Sequence, residues 1–504
     1  MPYEPIASLE EYKRRFEAPA AGQLEGLLAA IAQQQFSDAQ SLIRLHETLL
    51  FLRAYPLSYE VARLADSILF SFAARIAPGT DPAPFEEPEV SGIAGTSLTA
   101  VFSFEVAQRL AALHPRHIDI GWDCYDEPDR LGPVIRRFLP MLNEEWPVEA
   151  HVPFQQWIAA AQARTTSLQW LLKHVTSAGT YDSLQLPLTW RMESSGTTRS
   201  RLRMPVRELY LHREPLLRRS DVSLERELTA PLPAASGVTR LPLPAARRVL
   251  DAILENSAMR YRELYGFSHP DESRVFHAAL GRGVDIYFFG AAPGWRLPLR
   301  AYHAGMFFKN GVPAGYVEML SLFERTEVGF NLYYTFRDGE SAWIYARILR
   351  LFRQVLGVTC FSVDPYQIGH ENPEAVASGA FWFYRKLGFR PTEPEVVRLV
   401  AREESRMRQT PGYRSSARTL ERLAAGPILY EIPGTETGDW DRFRIRTLAQ
   451  RLQRAKIGSP ESRAAKAIAQ SKQRGDEARH LRSLKRDARL RRALIRWGSY
   501  RTAS

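Results

Sequence analysis

Cysteine is nearly absent from this chain: Cys124 and Cys360 are the two in 504 residues. They stand far apart, with no Cys-x-x-Cys pair and no Cys/His cluster, which excludes a disulfide framework and a thiolate zinc site. Such usage suits a reducing compartment, and the cytoplasm is the expected location. His46, His114, His117 and His151 share no ligand spacing on one element, so no metal site is expected. Long apolar runs are missing as well. No stretch approaches the roughly 18 apolar residues of a membrane span, and the opening MPYEPIASLEEYKRRFE is charged where a secretory leader would be apolar. No membrane span is therefore expected. Gly281-Arg282-Gly283 reads as a turn, because no Gly-x-Gly-x-x-Gly follows it, and neither a Gly-x-Ser-x-Gly elbow nor a P-loop occurs. No internal repeat stands out.

What is present begins with 45% hydrophobic residues, enough for a sizeable core, over a length that suggests about two to four domains. The net charge of +11 looks like an attraction for nucleic acid until its distribution is read. Residues 441–504 hold 19 Lys+Arg against 5 Asp+Glu, and the remaining 440 residues hold 48 against 51. The body is nearly neutral, and the excess positive charge belongs to a C-terminal segment. There Leu481, Leu484, Leu490, Leu494 and Trp497 recur at helical intervals among arginines, which predicts a basic helical tail. Such a tail either docks on its own protein or meets nucleic acid, an acidic protein or a membrane surface.

The N-terminal region reads as mostly helical. Ser37 or Asp38 can cap a helix carrying Leu42, Leu45, Leu49 and Leu52 on one stripe before Pro56 ends it. Val61, Leu64, Ile68 and Phe72 repeat the pattern, so residues 1–77 are expected to form a helical hairpin region. The Pro- and acid-rich APGTDPAPFEEPEVSG then reads as a linker. A second mostly helical region covers 97–178, with HIDIGW as a possible buried strand. Residues 179–242, rich in Pro and Arg, read as an extended connection. It is either a solvated crossover or an arm that folds over the C-terminal site and offers arginines to an anion.

From residue 243 the pattern becomes α/β: a helix, a strand at VDIYFF, two β-rich runs around Asn310-Gly311, a third at EVGFNLYYTF, a helix ending at Gly357, and a strand at VTCFSV. Asn-Gly readily takes the positive φ values of a type I′ hairpin turn. In ENPEAVASGAFWFYRKLGFRP a helix is expected over roughly 373 to 387, with Ala380, Phe383, Tyr384 and Leu387 on a shared buried face and Gly388 closing it. The fold class expected is α+β, with a mixed sheet in the C-terminal half.

The run Tyr384-Arg385-Lys386-Leu387-Gly388-Phe389 resembles the fourth-helix motif of the GCN5-related N-acetyltransferase (GNAT) superfamily, and the element order over 243–432 agrees with that fold. The resemblance implies an acyl-CoA-dependent N-acyltransferase, with acetyl-CoA or another acyl-CoA as donor and a small-molecule or protein amine as acceptor. It implies that Tyr384 protonates the departing thiolate. The family's Arg/Gln-x-x-Gly-x-Gly/Ala pyrophosphate turn corresponds to Arg337-Asp338-Gly339-Glu340-Ser341-Ala342, where Glu340 replaces the central glycine. A carboxylate there repels a pyrophosphate, so either Glu340 turns outward or the loop takes something other than ordinary acyl-CoA. The usual asparagine is also missing, its place being held by Ala377.

On this reading Tyr333, Tyr334, Phe336, Arg337, Gly339, Ser341 and Ala342 border the donor. Glu318, Glu324, Glu327 and Asp364 are the base candidates, each also readable as a solvated or capping carboxylate. Two further functions stay open: a non-catalytic GNAT-like binding or scaffold protein, and a transferase of this fold using another donor such as an aminoacyl-tRNA.

Overall fold

The computed structural model describes residues 4–145, 152–192, 197–230, 237–260, 263–297, 300–322 and 324–435. The basic segment 441–504 lies outside the described residues. The chain is a mixed helix and sheet protein, and no described helix is long and apolar enough to cross a membrane.

Two N-terminal helices, Ala39–Ala54 and Tyr59–Phe70, start as the sequence predicts. Asp38 accepts the Ser41 N–H and Ser58 accepts the Val61 N–H, satisfying donors that each first turn leaves open. The pair packs on the C-terminal half in one apolar core that runs from Ile6 to Ile432.

A smaller core lies beneath a three-stranded sheet of β1 (Ser97–Val101), β2 (Ile118–Ile120) and β3 (Pro187–Arg191) in the order β1-β3-β2. The middle strand β3 comes from the segment expected to be extended and arm-like. Leu188 and Trp190, both fully buried, turn that piece of it into core. Leu254, Ala258 and Met259, at the end of the Leu243–Ala258 helix, close the same cluster and tie it to the rest.

The main sheet has nine strands, in the order β11-β12-β10-β9-β8-β7-β6-β5-β4. These are β4 (Val238–Arg240), β5 (Pro270–Gly281), β6 (Val284–Ala291), β7 (Ala301–Lys309), β8 (Val312–Leu322), β9 (Arg325–Leu332), β10 (Cys360–Val363), β11 (Arg390–Pro391) and β12 (Ile428–Glu431). One register feature matters most. β9 pairs with β8 along its whole length, but with β10, in parallel, only from Arg325 to Glu327. Beyond Glu327 that pairing stops, and β10 itself ends one residue later at Val363, so the rest of β9 has only β8 beside it.

Alternation sorts the side chains of the sheet onto two faces. Phe288, Phe307 and Phe330 face the Ser341–Leu356 helix, where Phe330 meets Tyr345 at 5.0 Å and Phe288 meets Phe352 at 5.4 Å. Burying each such ring stabilises by roughly 1.5–3 kcal/mol. Tyr302, Tyr316 and Glu318 lie on the opposite face, with the Leu243–Ala258 helix and the Tyr265–Ser268 turn of helix.

The Asn310-Gly311 turn forms with φ values of +48° and +79°, as the dipeptide demands, but it is buried. Asn310 accepts the Tyr210 N–H at 2.8 Å, donates to the carbonyls of Ala54 and Tyr210 at 2.8 and 3.0 Å, and receives the Arg53 guanidinium on its own carbonyl at 2.9 Å. Residues 198–223 thus form a strap that runs over the C-terminal half. Two of its arginines go to the chain's own carboxylates, Arg199 to Glu47 at 2.9 Å and Arg203 to Asp66 at 3.1 Å, while Arg201 donates to the Phe70 carbonyl.

Candidate functional site

The positive end of the Ser341–Leu356 helix follows β9, where the pyrophosphate loop was expected. Glu340 does not turn outward. Fully buried, its carboxylate takes Arg282 at 2.6 Å, Lys309 at 3.4 Å and the Leu217 N–H of the strap at 3.2 Å. The Glu340 N–H points at the Tyr55 hydroxyl, 3.3 Å away. Gly339 is required by the same approach, since a Cβ there would stand 2.3 Å from the Tyr55 hydroxyl. Burial pushes the Lys309 ammonium down to about 7, against the pull of Glu340. The helix start is thus covered by Tyr55 from the N-terminal helices and by Leu217 from the strap.

The other residues expected to border a donor are dispersed. Tyr333 is buried, with its hydroxyl accepting Asn256 Nδ2 at 2.7 Å and the Arg260 guanidinium 3.6 Å from its ring. Tyr334 is half exposed, with the Arg337 guanidinium 5.7 Å from its ring. Arg337 pairs with Glu374 and lies 3.7 Å from Glu89. Phe336 and Ala342 are buried, and Ser341 is partly buried as the first helical residue.

Tyr384 does come to this helix, 5.5 Å from the Tyr345 ring and 5.7 Å from Phe389. The helix that carries it is broken, however. Gly379, with φ +68°, separates Pro373–Ser378 from Ala380–Lys386, where the sequence suggested one continuous element. Tyr384 is only 4% exposed, and burial raises its hydroxyl pKa, as it does that of neighbouring Tyr345. It sits in an aromatic core as a closed, apolar-packed phenol.

Among the base candidates Asp364 caps a short helix by accepting the Tyr366 N–H at 3.0 Å. Glu327 stands opposite Ser362 at the last position where β9 pairs with β10. Glu318 differs from both. It faces Gly329 across β9, receives the Tyr302 hydroxyl as a hydrogen-bond donor, and has its pKa raised by burial. Tyr302 in turn accepts the Gly266 N–H at 3.3 Å, and Asn331 donates to the Tyr316 hydroxyl at 3.0 Å one position along. A half-buried carboxylate of raised pKa beside a phenol is a better proton acceptor than an exposed one.

A further polar chain escaped the sequence reading. His46 lies 3.0 Å from Glu47 through Nδ1 and 2.9 Å from Ser200 through Nε2, while Glu47 holds Arg199 and receives the Thr335 hydroxyl. The order hydroxyl, imidazole, carboxylate resembles a hydrolase triad, but His46 and Ser200 are fully buried and Glu47 nearly so. The Ala94 N–H already occupies the Ser200 hydroxyl at 3.0 Å. These groups clamp the N-terminal helices, the strap and the loop after β9 to one another. Ser200 lies 154 residues from His46, and no spacing in the sequence signals the pairing. Among the described residues no group of His, Cys, Asp and Glu is arranged to hold a metal.

No protein-family model matches the chain, and neither a curated protein nor a solved structure matches it.

Proposed function

We propose that this chain is a GNAT-like protein that does not use acyl-CoA in the ordinary way and serves as a binding or scaffold protein. The GNAT-like reading is supported by the short parallel pairing of β9 with β10, the helix that follows β9, and the approach of Tyr384 to that helix. One observation supports the loss of ordinary donor use: the fully buried Glu340 carboxylate lies at the helix start where the resemblance would put a phosphate, paired with Arg282 and Lys309 and covered by Tyr55 and Leu217. A pyrophosphate would have to displace a buried carboxylate from two cations, and breaking a buried pair costs about 3–5 kcal/mol. Calorimetric titration of the full chain with acetyl-CoA should give no binding heat up to millimolar donor. Micromolar binding would overturn the reading.

A second reading, transfer from another donor, is favoured by the Glu318–Tyr302 pair on β8 and β7. It predicts that labelled aminoacyl-tRNA passes its aminoacyl group to an added amine such as lysine, and that Glu318→Gln slows this by roughly 10²-fold. No transfer by the wild-type chain would eliminate it.

A further inference from the structure

A cavity of about 610 Å³ opens between the Phe104–Leu113 helix, the Leu243–Ala258 helix and the start of β5. That size suits a small organic molecule. Its apolar lining comes from Val106, Leu250, Leu254 and Phe267, so a ligand body of hydrocarbon or aromatic character is accommodated.

The charged groups decide what else the ligand must carry. Arg109 is committed: it binds Asp251 at 2.6 Å and reaches Glu272 at 3.6 Å. Glu272 is held by Arg247 as well, at 2.8 Å. Glu105, one helical turn before Arg109 on the same lining, has no ion pair among the described residues. The charge left unmatched at the cavity is therefore negative. Asp182 and Glu263 stand at the start of the same helix, where they accept the Phe104 and Ser103 N–H groups at 2.8 and 2.7 Å.

Part of the lining is aromatic. His269 lies flat on Trp295 with ring centres 3.6 Å apart and planes 5° from parallel, and burial lowers the His269 pKa against the pull of Glu105. Trp295 is still 46% exposed, so the indole keeps free π surface. A carboxylate and an available indole lining one cavity attract a cation through both the charge and the ring quadrupole. An anion would meet Glu105 and find Arg109 already occupied.

We infer that this cavity binds an organic monocation, with its ammonium or quaternary ammonium head between Glu105 and Trp295 and its apolar body against Phe267, Leu250 and Leu254. The inference stands apart from the proposed function, because it uses neither Glu340 nor Tyr384 nor Glu318.

Calorimetry of the full chain with three probes of one shape tests it: phenethyltrimethylammonium, uncharged 2-phenylethanol and anionic phenylacetate. The cation should bind about fivefold or more tightly than the alcohol, with phenylacetate weakest. Glu105→Gln should weaken the cation by about fivefold and leave the alcohol unchanged, and Trp295→Leu should weaken the cation by a similar factor. Both residues are partly exposed, and a thermal melt matching wild type shows that the variants fold. Equal affinity for cation and alcohol, or a Glu105→Gln variant that binds the cation like wild type, would overturn the proposal.

Discussion

Replacing His212 by phenylalanine should remove a large part of the acid sensitivity of this protein. The imidazole is 1% exposed, neither ring nitrogen has a hydrogen-bond partner, and the rings of Phe16, Tyr55 and Tyr210 surround it. Burial, with Lys309 and Arg282 adding to it, lowers its pKa from 6.5 to about 2. Because the folded value lies below the unfolded one, the unfolded chain takes up the proton first. The associated stability is complete above about pH 6.5 and declines as the pH falls toward about 2. At ~1.36 kcal/mol per unit, acidification to about pH 5 costs about 2 kcal/mol through this residue alone. Phenylalanine has a similar volume and no site for a proton, so His212→Phe should be within about 1.5 kcal/mol of wild type at neutral pH. Guanidinium denaturation of both proteins at neutral pH and near pH 5 reads the difference directly. Equal losses of stability in wild type and variant would refute the reasoning, since they would mean that His212 is not held neutral by its surroundings.

Other outcomes follow from the same structure. His46 and His303, each lowered to about 4 by burial, should add losses of the same sign over the same pH range, and the double variant His212→Phe/His303→Phe should be flatter in pH than either single one. Glu340→Ala strands buried Lys309 beside Arg282 and should cost about 3–5 kcal/mol in chemical denaturation; a loss under about 1 kcal/mol would mean that the ion pairs contribute nothing net. Gly339→Ala places a methyl 2.3 Å from the Tyr55 hydroxyl and should lower the thermal transition, with Tyr55→Phe in the same chain restoring part of it; no restoration would separate the two residues. Deleting residues 441–504 should abolish retention on heparin at low salt while leaving the melting transition unchanged, and equal retention would clear the basic segment of any polyanion role.

How much of this was legible depended on the range over which the physics acts. The Ser341–Leu356 helix and its Gly357 stop, at φ +68°, were readable because apolar spacing and a left-handed cap are local facts. The Asn310-Gly311 turn was readable for the same reason. Strand β5 was passed over, since PDESRVFHAALG opens on a proline and mixes polar and apolar residues without clean alternation. The break at Gly379 was hidden inside a good helical pattern. The fate of Glu340 could not be read at all. Glycine missing from a phosphate loop signalled a problem, but the answer lay in Tyr55, 285 residues earlier, and in a strap amide 123 residues away. Glu318 was named as a base among several glutamates. Its distinction from Glu327 and Asp364 rests on Tyr302, which pairing across two strands brings within reach.

The buried Asn310 turn also has a consequence for biosynthesis. Its partners, Arg53, Ala54 and Tyr210, leave the ribosome about 100 to 257 residues before it does. Until then the end of the Ala39–Ala54 helix and the strap carry polar groups shaped for an interior whose central residue has not yet been translated. The first half of the chain therefore waits as an unfinished shell that needs protection from premature association, and the translation of a single hairpin is the event that lets it close. Two fragments cut at residue 242 and expressed together should accordingly recover the fold that the first fragment lacks by itself.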